Sequence, residues 1–291
     1  MIISKIRGGL GNQLFQWAAG YALAKKHKVV FLLDLSVFSR NFKRNFLLDG
    51  LFVPYSIANE KQVEFLKEIN FYRQPFYHYD PMFAHNPKQT FLRGYFCSQK
   101  YFAGAEKEIG KLLAKALSKN ELDNKQQRLL EKIESVESVS IHVRRGDYVD
   151  NPDYNEFFGV CSLEYYFDAI NQIKEMLFGK DLVFVVFSDD LDWARENLKF
   201  TKNVIYVDQN AGKADHFDML FMAQCKHNII ANSTYSWWAA WINQHEDKIV
   251  LWPSKWFARN FRERTKGAWI QSQHYDISDI NPLSWYKVSS S

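Results

Sequence analysis

Apolar residues along this chain fall into short runs and helical stripes, and their rhythm changes once. Residues 1–6 (MIISKI) read as a buried strand, followed by Arg7-Gly8-Gly9-Leu10-Gly11-Asn12-Gln13 and then by a helix with Leu14, Trp17, Ala18 and Tyr21 on one face. Residues 29–33 supply a second strand ending at Asp34. Residues 36–54 are irregular and aromatic-rich, with Arg40, Lys43 and Arg44 interspersed. Helical spacing returns over 59–69 through Val63, Leu66 and Ile69. The rings, prolines and histidines of 71–87 predict a loop; 91–102 reads as a strand leading into a turn and helix, and 101–119 and 121–133 as two helices rich in Lys and Glu.

From residue 139 the pattern becomes regular. Strands at 139–143, 182–187, 204–207, 228–231 and 249–252 alternate with helical segments, which predicts a parallel, helix-flanked sheet. In the helix at 163–177, Leu163, Tyr166, Phe167, Ile170, Ile173 and Leu177 recur at core spacing. The chain has 291 residues, beyond the usual reach of one hydrophobic core, so two α/β domains are expected. Polar breaks at 118–125 and 135–138 both suit a boundary; the division is drawn as 1–135 and 136–291. No internal repeat is visible, and no low-complexity segment beyond Ser289-Ser290-Ser291.

Composition removes several classes of function. With 47% hydrophobic and 16% aromatic residues, disorder is excluded. A formal charge of +4, without a long Lys/Arg run, argues against nucleic acid and leaves an anionic small molecule compatible. Cys97, Cys161 and Cys225 are odd in number and far apart, so they predict neither a disulfide framework nor a zinc site, but reduced and mostly buried thiols of a cytosolic protein. The N-terminal run lacks the pattern of a signal peptide, and no apolar segment approaches the ~20 residues that span a bilayer. Any membrane association is expected to be peripheral.

Candidate chemistry collects at three strand ends of the second half. The first is His142-Val143-Arg144-Arg145-Gly146-Asp147-Tyr148; ligands of open α/β sheets sit beyond the carboxyl ends of strands, where paired guanidinium groups can grip a diphosphate. The second is Ser188-Asp189-Asp190, and the third is Asn232-Ser233-Thr234-Tyr235-Ser236 ahead of a helix over 237–243. Each has a plain alternative. The arginines could be solvated charge, His142 a satisfied core histidine, Asp189, Asp190 or Ser233 an N-cap, and Arg-Gly-Asp a chance tripeptide. Hydroxyl groups with a helix N-terminus also form phosphate sites, and an acidic pair can hold a divalent metal, although two arginines already neutralise a diphosphate. Trp237, Trp238 and Trp241 form a helical stripe that core packing explains. The glycine loop followed about 20 residues later by Asp34 mimics a dinucleotide fingerprint, but Gly9-x-Gly11-x-x-Leu14 lacks its third glycine.

Taken together, Gly8-Gly9-Leu10-Gly11-Asn12-Gln13-Leu14-Phe15-Gln16, Gly94-Tyr95-Phe96 with Lys100-Tyr101-Phe102, the arginine loop, Phe187-Ser188-Asp189-Asp190 and Asn232-Ser233-Thr234-Tyr235-Ser236-Trp237-Trp238 resemble the bacterial α-1,2-fucosyltransferases, family 11 of the glycosyltransferases. The motifs run in family order across nearly the whole chain; Cys97 departs from a glutamine of the family. The resemblance implies a GT-B-like fold of two Rossmann-like domains facing a cleft, 1–135 on the acceptor side and 136–291 binding GDP-L-fucose. It implies inverting transfer of fucose from GDP-β-L-fucose to the 2-hydroxyl of a terminal β-galactoside on a surface glycan such as an O-antigen, without an obligatory metal or other cofactor. Carried over by position, Arg144 and Arg145, with His142 beside them, would bind the GDP phosphates. Ser188, Asp189 or Asp190 would contact guanosine, and Asn232, Ser233, Thr234 and Ser236 the pyrophosphate. Gly9 and Gly11 would let the first domain's backbone approach the ligand, and Asn12 would reach the reacting centre. Residues 71–83 are a plausible acceptor wall. Asp147 is either the general base or a brace for the arginines. An NAD-dependent oxidoreductase and a non-catalytic nucleotide-sugar or glycan-binding module remain the alternatives.

Overall fold

A computed structural model describes residues 1–39, 45–75, 77–199, 202–208, 216–258 and 276–288. Arg40, Lys43, Arg44, Phe76 in the expected acceptor wall and the terminal serines lie outside the described residues. The chain separates into two compact units, the first holding Met1–Lys119 and the later residues 276–282, the second beginning at Asn120 and including the strand near residue 288. The division thus falls at the first of the two polar breaks, whereas the sequence reading drew it at the second.

The first unit contains β1 (Ile2–Lys5), α1 (Leu10–His27), β2 (Phe31–Asp34), α2 (Glu60–Ile69), β3 (Phe71–Arg73), β4 (Thr90–Arg93), α3 (Glu106–Ala114) and α4 (Ala116–Lys119). Its sheet runs β2-β1-β4-β3, with every pair parallel. Helix α1 is apolar almost all round and mostly buried, which is why Leu14, Trp17 and Ala18 have no solvent-facing counterpart. It stops at Lys28, whose left-handed φ of 53° turns its N–H back onto the carbonyls of Ala24 and Lys25, behind a basic last turn. Asn59 and Gln62 form a reciprocal capping box that starts α2. The segment expected to be a loop after residue 70 instead opens with β3, a three-residue strand on the sheet edge, too short to carry a readable alternation. The single helix expected over 101–119 is a short 3₁₀ turn, Gln99–Phe102, followed by α3 and α4.

The second unit contains α5 (Asn124–Glu134), β5 (Glu137–Val143), α6 (Gly146–Asp150), α7 (Pro152–Phe158), α8 (Leu163–Met176), β6 (Leu182–Ser188), α9 (Leu191–Asn197), β7 (Val204–Tyr206), α10 (His216–Gln224), β8 (His227–Ile229), α11 (Thr234–Ile242), β9 (Val250–Pro253) and β10 (Tyr286–Val288). Its sheet is wholly parallel, in the order β10-β9-β8-β5-β6-β7. Val139, Ile141, Val143, Phe184, Val186, Ile229 and Leu251 pack on Tyr165, Tyr166, Ala169, Ile170 and Ile173 of α8. Fully burying side chains of this size contributes about 1.5–3 kcal/mol each. Phe167, expected in this core, is 38% exposed: its place beside Tyr166 turns it off the packed stripe. Trp237 and Trp238 are fully buried, so they are core.

Both units are therefore α/β layers built on parallel strands, as the GT-B-like expectation requires. Each sheet has a point where the chain reverses its direction of winding. In the second unit β6 and β7 are added on one side of β5, and β8, β9 and β10 on the other. In the first, β2 lies on one side of β1 and β4 on the other. Ligands of open α/β sheets bind outside the carboxyl ends of the strands at such points.

Candidate active site

The arginine loop leaves the carboxyl end of β5, which is the reversal point of the second sheet. Val143 pairs with Ser188, so Arg144 and Arg145 emerge beside Asp189 and Asp190 at the end of β6. Asp189 ties the two loops together. Its Oδ1 accepts the backbone N–H of Arg145 at 2.8 Å, and its Oδ2 meets Arg144 Nη1 at 2.9 Å. Gly146 makes that approach feasible, because a Cβ there would lie 2.6 Å from Asp189 Oδ2.

The two arginines are held differently. Arg144 forms ion pairs with Asp147 and Asp189, and its guanidinium lies 5.3 Å from the ring centre of Tyr148. Burial alone would lower its pKa, but Asp189 and Asp147 outweigh burial and raise it. Arg145 donates through Nε to Asp190 Oδ2 at 3.0 Å, and its guanidinium covers the Trp193 ring at 4.1 Å. With side-chain exposures of 23% and 18%, both arginines are largely desolvated yet reachable from solvent. Asp190 also caps α9, its Oδ1 accepting from Trp193 N–H at 3.2 Å, while Ser188 Oγ accepts from Asp190 N–H at 2.9 Å.

His142, 4% exposed, sits two positions before Arg144 in β5, and its ring centre is 5.5 Å from that of Tyr235. Its Nδ1 is buried without a hydrogen-bond partner among the described residues, and burial, reinforced by Arg144, pushes its pKa down to about 3. The ring is neutral at physiological pH. Tyr148 stacks on Phe158 at 4.7 Å, and burial raises the pKa of its phenol.

The third cluster follows β8, the neighbour of β5 across the reversal point. Ser233 caps α11, its Oγ accepting from Tyr235 N–H at 3.3 Å, and Thr234 opens the helix half-buried. Ser236 is fully buried, with its Oγ directed to the Ser233 carbonyl at 3.4 Å. Asn232 points inward: its amide donates to the carbonyls of Phe158, Gly159 and Trp256 at 3.0, 3.2 and 3.2 Å, and its Oδ1 lies 3.5 Å from Cys161 Sγ. In this state Asn232 and Ser236 shape the loop, and Ser233 and Thr234 present it.

Thus His142, Arg144, Arg145, Asp147, Ser188, Asp189 and Asp190 gather at one strand edge, with the start of α11 on the adjacent strand. Gly9, Gly11 and Asn12 belong to the first unit, where Gly9 precedes α1 as an N-cap without a side-chain cap. Gln13 braces that loop by donating to the carbonyls of Gly8 and Asn45 at 2.9 and 2.8 Å. Trp193 lies outside the three sequence clusters; it follows Asp190 by one helical turn, a spacing that places it over the same loop. Among the described residues no group of three or more His, Cys, Asp or Glu is placed to hold a metal ion. No described helix is long and apolar enough to cross a membrane, and the described cysteines are all free thiols.

The family profile of glycosyl transferase family 11 matches residues 8–274. The O-antigen biosynthesis glycosyltransferase WbnK of Escherichia coli is 34% identical, over 92% of this chain and 99% of that protein. An α-1,2-colitosyltransferase of Escherichia coli is 30% identical over 89% of this chain and 93% of its own length. The galactoside α-(1,2)-fucosyltransferase 2 of Hylobates lar is 24% identical over 95% of this chain and 79% of that protein. With its ordered motifs, its two parallel α/β units and a match across most of its length, this chain belongs to glycosyl transferase family 11.

Proposed function

We propose that the protein transfers L-fucose from GDP-β-L-fucose to the 2-hydroxyl of a terminal β-galactoside with inversion, forming an α-1,2-fucoside on a surface glycan of the O-antigen type. The observation that carries this reading is the pair of half-buried arginines at the reversal point of the second sheet, next to the start of α11. The diphosphate lies on Arg144 and Arg145, with Ser233, Thr234 and the helix N-terminus alongside.

The carboxylates already on those arginines constrain how a dianionic group enters. Asp189 also holds the backbone N–H of Arg145, so it stays as the loop's brace. Asp147, three residues on from Arg144 in the same turn, is the carboxylate the diphosphate exchanges with. Asp147 therefore braces Arg144 before donor binding and becomes available as the general base afterwards. In the reaction the galactose 2-hydroxyl oxygen bonds to fucose C1 as the bond from C1 to the phosphate oxygen breaks. The electron pair leaves on the β-phosphate, and the hydroxyl proton passes to Asp147. Charge on the leaving phosphate is stabilised by the guanidinium groups, an effect worth roughly 3 kcal/mol per donor in a water-poor site.

A second reading, colitosyl transfer, is favoured by the colitosyltransferase relative. Incubating the protein with lactose and either GDP-fucose or GDP-colitose, then measuring GDP release and the product linkage by NMR, separates the two. Acceptor-dependent GDP release from GDP-fucose with an α-1,2 product is expected. Release from GDP-colitose alone moves the donor assignment, and release from neither, over a panel of β-galactosides, overturns the reading.

A further inference from the structure

In the first unit the loops leaving β1 and β4 emerge side by side, because these strands are neighbours at the reversal point and Ser4 pairs with Leu92. The turn after β4, Gly94-Tyr95-Phe96, is held in an unusual way. Phe96 adopts a left-handed φ of 55°, a conformation that favours glycine, while its ring is fully buried against Tyr72, Phe83 and Tyr101. Buried Gln74 fixes the backbone: its Oε1 accepts from Tyr95 and Phe96 N–H at 2.8 and 2.9 Å, and its Nε2 donates to the Tyr77 carbonyl and the Tyr101 hydroxyl at 3.3 Å each. Gly94 leaves room for this, since a Cβ would stand 2.6 Å from Gln74 Oε1.

All of that strain and bonding serves to turn Tyr95 away from the core. Its half-exposed ring lies 5.2 Å from the guanidinium of Arg7, which follows β1 and whose N–H is fixed by Gln16 Oε1 at 2.8 Å. Backbone strain of this kind concentrates where a side chain must be presented in one orientation. An aromatic ring beside a guanidinium has the chemistry for a neutral pyranose, with the ring against the sugar's C–H face and guanidinium N–H groups reaching its hydroxyls.

We propose that Arg7 and Tyr95 bind the terminal neutral sugar of the acceptor, a placement that rests on the glycosyl-transfer reading above. Two measurements test it. With GDP-fucose saturating, Tyr95→Ala and Arg7→Gln should each raise the KM for lactose at least tenfold, while the KM for GDP-fucose moves less than twofold; Tyr95→Phe, which keeps the ring, should stay within threefold of the parent for both. Saturation-transfer NMR with methyl β-galactoside, in the absence of any donor, should give a signal with the parent protein and Tyr95→Phe that is lost in Tyr95→Ala. An unchanged lactose KM in folded Tyr95→Ala, a parallel rise in donor KM, or no signal with the parent protein would overturn the assignment. If GDP-fucose is not turned over at all, the donor reading fails while the NMR measurement still judges the sugar site.

Discussion

The carboxyl edges of the two sheets share one topology and differ in how their charges are tied. At the second sheet's reversal point Arg144, Arg145, Asp147, Asp189 and Asp190 form a connected ionic network. At the first sheet's, Arg7 lies beside Tyr95 and near Lys5 and Arg93, with Gly8, Gly9 and Asn12 in the loop after β1. Parallel winding fixes where a ligand can approach, and the few residues after each strand decide what kind of ligand it is. A glycosyl transfer needs one partner that is an anionic leaving group and one that is a neutral nucleophile, and the proposed reading gives one edge to each.

The sharpest way to break the comparison is to remove charge from the ionic edge. Arg145→Ala should leave folding intact and lower kcat/KM by more than a hundredfold, on the order of 3 kcal/mol. Arg144→Ala should cost more, because it takes a cation away from both Asp147 and Asp189. Near-parent turnover in either folded variant would remove the arginines from phosphate binding.

Acid should separate the edges next. His142 titrates at about 3 in the fold against an ordinary value of 6.5, so the unfolded chain binds its proton first as pH falls. The sign follows: stability is full above pH 6.5 and declines toward the folded value, by about 3 kcal/mol at pH 4 for this residue. His227, whose pKa burial also lowers, acts in the same direction from the far end of the same sheet. Urea unfolding at about pH 7 and pH 4 should show a pH dependence that His142→Gln reduces; an equal slope in that variant would remove His142 as the cause.

Smaller effects come from the two crowded glycines. Gly146→Ala pushes Asp189 away from the arginine loop, and Gly94→Ala pushes Gln74 away from the Tyr95 turn. Each should cost about 1–3 kcal/mol of stability as overpacking. Their kinetics should diverge, with donor KM rising in Gly146→Ala and acceptor KM in Gly94→Ala; the same KM moving in both would erase the distinction between the edges. The smallest expected change is none: EDTA should leave the rate unaltered, since the guanidinium groups supply the positive charge. A loss restored by Mg²⁺ would return Asp189 and Asp190 to consideration as metal ligands.

Much of this could be read from the chain because strand ends announce themselves. Apolar runs that stop at Arg144, Ser188 and Asn232 mark loops whatever the tertiary structure, and helix periodicity in 163–177 locates α8 to within a residue. What stayed illegible depends on partners distant in sequence. Asn232 reads as a ligand residue among hydroxyl neighbours, yet its amide is spent on carbonyls contributed by Phe158, Gly159 and Trp256. Ser236 has the right chemistry for a phosphate but faces the interior of its own helix start. The value of Tyr95 depends on Gln74, a glutamine in a stretch that looks like loop, and on a left-handed Phe96 that no propensity would suggest.

The late residues 276–288 carry a consequence for how the protein is made. Asp279 pairs with Lys100 and accepts from Tyr79 N–H at 3.2 Å in the first unit, and a few residues later β10 docks beside β9 while Trp285 packs at a tilt on Trp237, 5.5 Å between ring centres, in the second. As the polypeptide leaves the ribosome, neither unit can be completed until this stretch emerges, long after the whole first sheet has been translated. The nascent chain must therefore shelter two unfinished cores at once, and a premature stop before residue 276 would leave both open rather than yielding one finished unit and one broken one.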